Sequence, residues 1–242
     1  PGKAPAPPPP GEPAAAREGD AEAMGDGGVR GVGVKTAVTG FGYQDPIPGG
    51  STGGETDIAK AGAEQLGGDV GFTPVTAATR TELLDSGDID CVLATFTITD
   101  ERKQSWDFTT PYYTDHVTVL VEDSSGIKSL ADLKGKLVGV SSGSTSARAL
   151  TSAMIDAGVI DGTGFDKETF DPATWTEGIS FQQFDDYPGI STALAAGQVD
   201  AFCVDKSILA VYKTEGRSYI ADEFAPQDYG IATKKGSGFS TY

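Results

Sequence analysis

From residue 29 onward, short apolar segments alternate with segments of helical periodicity, and this alternation limits the fold more than any other feature. The segment at 89–96 is apolar almost throughout, which is typical of a strand buried on both faces. A β–α–β rhythm predicts an α/β protein with mostly parallel sheets flanked by helices. Strands are expected at 29–34, 89–96, 137–140 and 199–204, and helices at 57–66, 79–86, 129–133, 144–157 and 190–196.

Two distant segments share one pattern. Residues 83–90 and 194–200 each run from a helix end through a Gly and an Asp into an apolar strand. Gly87 and Gly197 suit the helix C-cap, where a left-handed residue is common. Two equivalent units on separate lobes explain this echo better than coincidence does. A strand at 117–122 is predicted to leave one lobe and enter the other.

The predicted organisation therefore has four parts. Residues 1–28 form a disordered Pro/Ala/Gly-rich tether, because such a composition cannot bury enough apolar surface to offset its ordering entropy. This part is either a semi-rigid spacer or a terminus with no task, and it shows neither the basic start nor the apolar stretch of a signal peptide. Residues 29–118 form lobe 1, 119–230 form lobe 2, and 231–242 return to lobe 1.

Composition excludes several classes of function. A net charge of −17, from 35 acidic and 18 basic residues, argues against nucleic-acid binding. No apolar run approaches the roughly 20 residues of a membrane span. His116 is the only histidine, so neither a His-based metal site nor a Ser-His-Asp triad can form. Cys91 and Cys203 lie in apolar runs and are expected to be buried free thiols. No metal, cofactor or catalytic residue is expected.

Hydroxyl groups and a cation meet where the strand at 89–96 ends. Thr95, Thr97 and Thr99 alternate and face one side together. Thr99 fits a helix N-cap, and Arg102 lies one turn into that helix. Hydroxyls, free backbone N–H groups and a guanidinium are what a carboxylate requires. A capped helix carrying a surface arginine is an equally good interpretation of the spacing.

Two further segments offer polar groups at strand ends. In Val138–Ser146 a strand passes through a small-residue turn into a helix, and the N–H groups around Ser144 and Thr145 can form an anion nest. An ordinary βα turn has the same pattern, and the segment lacks the Lys of a phosphate loop. Asp205 ends the strand at 199–204, where it can receive an ammonium group or act as a helix cap.

Taken together, these motifs resemble a known family. Their order is Gly-x-x-Asp-strand, Thr-Ile-Thr-Asp-Glu-Arg, Asp-Phe-x-x-Pro-Tyr-Tyr, Val-Gly-Val-x-x-Gly-Ser-Thr and Gly-x-Val-Asp-Ala-x-x-x-Asp. The chain from residue 29 to 242 resembles the polar amino-acid-binding proteins of bacterial ABC importers, solute-binding protein family 3, which have the type II periplasmic-binding-protein fold. The resemblance implies a monomeric two-lobed clamp, periplasmic or a cell-surface lipoprotein, that delivers an amino acid to membrane permease subunits and catalyses nothing.

The resemblance also implies roles for individual residues. Arg102 matches the arginine that grips the ligand α-carboxylate, and Asp205 matches the acceptor of its α-ammonium group. Arg80 matches a position that is often Arg in binders of acidic amino acids, so glutamate or aspartate is expected ahead of glutamine. Alternatively, Arg80 pairs with a surface acid, and Arg148 is a weaker candidate for the second cation. The other implied ligand contacts are Phe41, Tyr43, Thr95, Thr97, Ser144 and Thr145.

The chain departs from the family pattern in two places. Near Glu55 it reads Gly-Gly-Glu-Thr-Asp, without the core-facing aromatic of the family, which predicts a loosely packed helix. The family continues beyond residue 239 through a closing helix of the first lobe. Two alternatives use the same clamp: a ligand-sensing domain of a receptor or wall-active enzyme, and a cyclohexadienyl-dehydratase-like enzyme with Glu55 or Asp185 as the titrating group.

Overall fold

The computed structural model describes residues 30–44, 50–65 and 67–237, so the predicted tether at 1–28 lies outside the described residues. The strands are β1 Arg30–Val34, β2 Ala37–Val38, β3 Gly42–Gln44, β4 Ser51–Thr52, β5 Val70–Pro74, β6 Cys91–Val92, β7 Trp106–Phe108, β8 Tyr113–Glu122, β9 Leu137–Ser141, β10 Ser180–Phe184, β11 Ala201–Asp205, β12 Arg217–Tyr219, β13 Phe224–Tyr229 and β14 Ala232–Lys234. The α-helices are α1 Gly54–Gln65, α2 Arg80–Ser86, α3 Asp100–Ser105, α4 Ser146–Asp156, α5 Tyr187–Ala195 and α6 Lys206–Leu209, and two 3₁₀ turns span Asp123–Ser125 and Leu130–Leu133.

The strands form two main sheets, one in each lobe. The first has the order β5-β1-β6-β14-β7, and the second has the order β10-β9-β11-β8-β12, with β13 also paired to β8. Strand β1 is parallel to β5 and β6, and β9 is parallel to β10 and β11. Helices and apolar clusters flank the sheets. The predicted two-lobed α/β fold is confirmed.

Strand β8 belongs entirely to the second lobe. It pairs antiparallel with β11, β12 and β13 from Tyr113 onward. The chain therefore crosses between lobes at 109–112, ahead of the predicted boundary at 118, and returns at 230–231. The apolar alternation at 117–122 reflects burial on both faces of the second sheet, since Val119 and Leu120 are both fully buried in different clusters.

Local signals in the sequence correspond to the observed element ends. Gly87 caps α2 in the left-handed conformation with φ 88°, as its pattern predicts. Ser129 and Asp132 form a reciprocal capping box, although the helix they begin is a 3₁₀ turn. Helix α1 buries little apolar surface, because Ala63 is its only buried apolar residue and Ile58 is exposed. Leu66 lies outside the described residues.

The described residues contain no helix with both the length and the apolar composition of a membrane span. Cys91 in β6 and Cys203 in β11 are buried free thiols of different sheets.

Candidate ligand-binding site

A small cavity lies between the lobes, and polar side chains from both lobes line it. Seven of the nine predicted ligand contacts are among its residues. Its volume of about 10 Å³ matches the space of roughly one water molecule. The lobe-1 lining is Lys35, Ala77, Arg80, Thr95, Thr97 and Arg102, and the lobe-2 lining is Ser144, Thr145, Ser146, Tyr187, Val204 and Asp205.

The small cavity adjoins a wider interlobe space. This space has a volume of about 320 Å³ and shares Arg80, Arg102, Ser144 and Thr145 with the small cavity. Such a volume is at the lower end of what small-ligand sites enclose, roughly 300–1,000 Å³. The polar groups described below therefore border enough room for a small ligand.

Arg102 reaches across the cleft. Thr99 caps helix α3, as predicted, by accepting a hydrogen bond from the Arg102 backbone N–H at 3.1 Å. The Arg102 guanidinium donates to the Thr97 carbonyl at 2.8 Å and to the Gly143 carbonyl of the other lobe at 3.0 Å. Burial lowers the pKa of Arg102 well below its ordinary value. Arg102 is partly exposed, and its guanidinium joins the two lobes instead of pointing freely into solvent.

Arg80 is also an interior residue, with an exposed fraction of 2%. Its guanidinium donates to the Ala94 carbonyl at 2.9 Å and lies 3.9 Å from the centroid of the Phe96 ring. Burial lowers its pKa. The alternative of a surface ion pair is therefore wrong, and Arg80 adds a buried cation to the cavity wall.

Two threonines from opposite lobes converge on one acceptor. The hydroxyls of Thr97 and Thr145 donate to the same Gln227 side-chain oxygen, at 2.8 Å and 2.7 Å. An amide oxygen and a carboxylate oxygen are both acceptors for such hydroxyls. This geometry demonstrates that the two hydroxyls can bind one oxygen together. Gln227 itself was missed in the sequence, because nothing local marks it.

Asp205 provides the carboxylate of the lobe-2 wall. It ends β11 with an exposed fraction of 5%, and it accepts a hydrogen bond from the Tyr229 hydroxyl at 2.5 Å. Burial raises the pKa of Asp205 to about 6, against the opposing effects of the Tyr229 hydrogen bond and of Lys35. A buried carboxylate of this kind can receive a cationic group.

Lys35 was missed in the sequence, although it is central to the cavity. It follows β1, has an exposed fraction of 4%, and donates to the hydroxyls of Thr95 and of Tyr187 in the other lobe. Burial, assisted by the nearby Arg80 charge, lowers the pKa of Lys35 to about 7. Tyr187, the first residue of α5, was missed as well.

Glu55 lies behind the cavity wall at the beginning of α1. Its exposed fraction is 1%, and its Oε1 accepts hydrogen bonds from the Thr95 N–H at 2.6 Å and the Tyr112 hydroxyl at 2.5 Å. Burial raises the pKa of Glu55 to about 7. Glu55 is not among the residues that line the cavity.

The remaining predicted contacts lie elsewhere. Phe41 packs near the lobe crossings, with its ring centroid 5.0 Å from that of Tyr113. Tyr43 pairs with Ala37 and Thr52 in the small β2-β3-β4 sheet. Neither aromatic is among the residues that line the cavity, contrary to the expectation. Arg148 forms a 2.8 Å ion pair with Glu101 of the other lobe, so it is committed to an interlobe contact.

Within the described ranges, no group of three or more His, Cys, Asp or Glu side chains is arranged to hold a metal ion.

Comparison with known proteins places the chain in a family. The model of the bacterial extracellular solute-binding proteins, family 3, matches residues 31–239. The chain belongs to this family. Members of family 3 are extracytoplasmic amino-acid-binding subunits of ABC importers, so the resemblance inferred from the motifs is confirmed.

Individual family 3 relatives support the same placement. The chain is 36% identical over 210 residues to the ABC transporter glutamine-binding protein GlnH of Bacillus subtilis, covering 84% of this chain and 69% of that protein. It is 33% identical over 210 residues to a glutamine-binding protein of Geobacillus stearothermophilus, with coverages of 84% and 72%. The solved structure of an ancestral arginine-binding protein bound to arginine matches with a TM-score of 0.71 and 33% identity, covering 88% of this chain and 87% of that one.

Proposed function

We propose that this family 3 protein is the capture subunit of an ABC importer, and that its ligand is an acidic amino acid, glutamate or aspartate, ahead of glutamine. One observation carries the proposal: among the described residues, the cavity wall holds three cationic side chains, Lys35, Arg80 and Arg102, and one carboxylate, Asp205.

The charge balance favours a ligand with an anionic side chain. The α-carboxylate and α-ammonium of any amino acid use one cation and one carboxylate, here Arg102 and Asp205. Lys35 and Arg80 then remain, and Glu55 behind the wall offsets at most one of them. Buried charges interact strongly because water screens them little. A side-chain carboxylate offsets the remaining positive charge, whereas a guanidinium side chain would increase it.

The positions of the side chains suit these roles. Thr97 and Thr145 converge on one oxygen beside Arg102, which suits the α-carboxylate. Lys35, joined by the Tyr187 hydroxyl and by Arg80, forms the part of the wall that suits the end of the ligand side chain. Arg80 is the residue for which the sequence predicts this role.

Glutamine is the second candidate, because the two relatives named above bind glutamine. Its amide oxygen can accept from Lys35 and Tyr187, and its length equals that of glutamate. It lacks the charge that two buried cations favour, so the site is expected to prefer glutamate. A site built for one hydrogen-bonding pattern discriminates strongly against a ligand that leaves its polar groups unpaired.

The enzyme alternative has less support. Of its two candidate groups, Glu55 has its Oε1 occupied by two donors and does not line the cavity. Asp185 lines a neighbouring interlobe space of about 40 Å³ that shares Lys35 and Tyr187 with the cavity, but it does not line the cavity itself. Neither carboxylate is presented to a substrate in the interlobe cavity. The sensor alternative uses the same clamp, and permease and ATPase genes beside this gene would favour the importer.

A thermal-shift screen of the twenty amino acids, followed by calorimetry, tests the proposal. A ligand at 100 times its Kd adds about 2.7 kcal/mol of stability. Glutamate or aspartate is expected to give the largest shift, with glutamine at least about tenfold weaker, 1.4 kcal/mol. Arg80→Gln is expected to reduce this preference. Glutamine binding as tightly as glutamate to the parent would contradict the acidic assignment, and no stabilisation by any amino acid would contradict the function.

A further inference from the structure

Thr95 has a strained backbone at the wall of the cavity. Its φ is 43°, in the left-handed region, and its exposed fraction is 3%. A β-branched residue there is a strained outlier that persists only where surrounding groups hold it. The group that holds Thr95 therefore decides where its hydroxyl points.

The Glu55 carboxylate holds the amide end of Thr95. Its Oε1 accepts a hydrogen bond from the Thr95 N–H at 2.6 Å, although Glu55 lies 40 residues earlier in the chain. The Thr95 carbonyl accepts a hydrogen bond from the Arg80 guanidinium at 3.3 Å, and the Thr95 hydroxyl accepts one from Lys35. Both ends of the strained residue are thus fixed by charged partners, and its hydroxyl is left facing the cavity.

The same Glu55 oxygen also reaches the chain crossing between lobes. The Tyr112 hydroxyl donates to Oε1 at 2.5 Å, and Tyr112 is the last residue before β8. Its backbone N–H donates at 2.9 Å to the carbonyl of Tyr229, which ends β13 just before the return crossing. One carboxylate oxygen therefore joins a residue of the cavity wall to both crossings.

We propose that Glu55 is a positioning residue for ligand capture: it holds Thr95 in its left-handed conformation so that the hydroxyl serves the ligand site, and it ties that site to the lobe crossing through Tyr112. Glu55 does not contact the ligand. The part that concerns affinity rests on the proposed function, whereas the part that concerns Thr95 does not.

Glu55 also acts on the charge of Lys35. The charged and titratable groups that face Glu55 are Lys35 after β1, Arg80 of α2 and Tyr112 of the crossing. Burial, Arg80 and Arg102 lower the pKa of Lys35, whereas the carboxylates of Glu55 and Asp205 raise it. Removing the Glu55 carboxylate makes Lys35 lose its proton at a lower pH. A residue with a merely structural role would leave that pH unchanged.

Three variants separate these effects by calorimetry with glutamate. Glu55→Gln keeps an acceptor oxygen, Glu55→Ala removes it, and Asp57→Asn removes an exposed charge from the same helical turn. At pH 6, Glu55→Ala is expected to lose affinity by about tenfold or more, with Glu55→Gln and Asp57→Asn within about threefold of the parent. Above pH 6, Glu55→Gln is expected to lose affinity at a lower pH than the parent does. The proposal is overturned if Glu55→Gln and the parent lose affinity at the same alkaline pH. It is also overturned if Glu55→Ala and Glu55→Gln bind glutamate equally well.

A second experiment needs no ligand, so it distinguishes failure of this proposal from failure of the proposed function. Glycine adopts the left-handed conformation without strain, so Thr95→Gly removes the need for Glu55 to hold residue 95. Glu55→Ala is made both in the parent and in the Thr95→Gly variant, and the loss of thermal stability is measured in each. In the Thr95→Gly background this loss is expected to be about half of that in the parent, or less. Equal destabilisation in both backgrounds overturns the proposal. If the alanine variant does not fold, Glu55→Met fills the same space without an acceptor and replaces it.

Discussion

Lys35 of the first lobe donates a hydrogen bond to the hydroxyl of Tyr187 in the second lobe. Both side chains are buried, and Lys35 also donates to the Thr95 hydroxyl. Both of its acceptors are neutral. Because a carboxylate forms a stronger, charge-assisted hydrogen bond with an ammonium group, an anionic ligand group at this point would bind Lys35 better than the hydroxyls do. In the proposed function, Lys35 therefore both binds the ligand side chain and joins the two lobes.

Lys35→Met tests this relationship. The variant keeps the apolar stem and removes the cation, so glutamate affinity is expected to fall by roughly 2–5 kcal/mol, the usual cost of stranding a buried charge. Glutamine affinity should change much less, and the acidic preference should disappear. Lys60→Met, at an exposed lysine of the same lobe, is the control in calorimetry. An unchanged ratio of glutamate to glutamine affinity would remove Lys35 from the side-chain site.

Arg102→Ala is expected to abolish amino-acid binding and to leave the fold intact. The guanidinium joins the Thr97 and Gly143 carbonyls across the cleft, so its loss removes an interlobe bridge as well as the proposed partner of the α-carboxylate. The expected loss is again roughly 2–5 kcal/mol. Calorimetry on the purified variant measures it, with circular dichroism as the check on folding. Affinity within about threefold of the parent, less than 1 kcal/mol, would be incompatible with this role.

Asp205 is expected to make ligand binding sensitive to acid. Burial raises its pKa to about 6, so its carboxylate gains a proton as the pH falls through 6 and can no longer pair with the ligand ammonium group. The affinity of the parent for the amino acid is expected to decrease below about pH 6. Asp205→Asn should bind the amino acid weakly at every pH, and its affinity should not decrease further in this acidic range.

The contribution of Asp205 to folding has the opposite sign. Its folded pKa lies above its ordinary value, so its contribution to the free energy of unfolding is largest below about pH 4 and decreases as the pH rises to 6. Comparing calorimetry with denaturant unfolding across this range separates the two effects. A loss of affinity in acid that persists in Asp205→Asn would point to another group.

Gly143→Ala is expected to hinder closure. Gly143 has φ 72°, and a Cβ there would lie 2.5 Å from the Ala77 carbonyl oxygen of the other lobe. Gly126 has φ 73° with nothing within 4 Å of its Cβ position, so Gly126→Ala has the same backbone cost without the clash. Both variants should lose similar stability, whereas only Gly143→Ala should bind ligand about tenfold more weakly. Equal affinities for the two variants would show that Gly143 does not approach the first lobe in the bound form.

The sequence predicts those parts of the site that lie within one short segment. Thr99, Arg102 and the hydroxyls before them belong to one strand exit and one helix turn, so their spacing fixes their geometry. Lys35 and Tyr187 meet from positions 152 residues apart, and Gln227 meets Thr97 from 130 residues away. Such residues carry no local pattern. Their convergence depends on how the lobes fold and close.

As with the site, the sequence predicted the local elements of the fold better than the way in which distant segments meet. Alternating or continuous apolar runs identify strands such as β8, yet the same pattern fits either lobe, so the crossing was expected too late in the chain. Phe41 and Tyr43 were expected at the ligand because of the family resemblance. The β2-β3 hairpin instead packs Phe41 against Tyr113, a contact that depends on where the chain crosses.

Strand β14 determines the order in which the protein can be assembled. All six strands of the second sheet lie between residues 113 and 229, so that lobe has its complete set of pairing partners first during synthesis. In the first sheet, β6 and β7 do not pair with each other, and Ala232–Lys234 is inserted between them. Contacts between such distant segments form slowly, because long loops must close before they stabilise anything. Completion of the first lobe is therefore a late event, and a nascent chain carries a finished second lobe before it has a clamp.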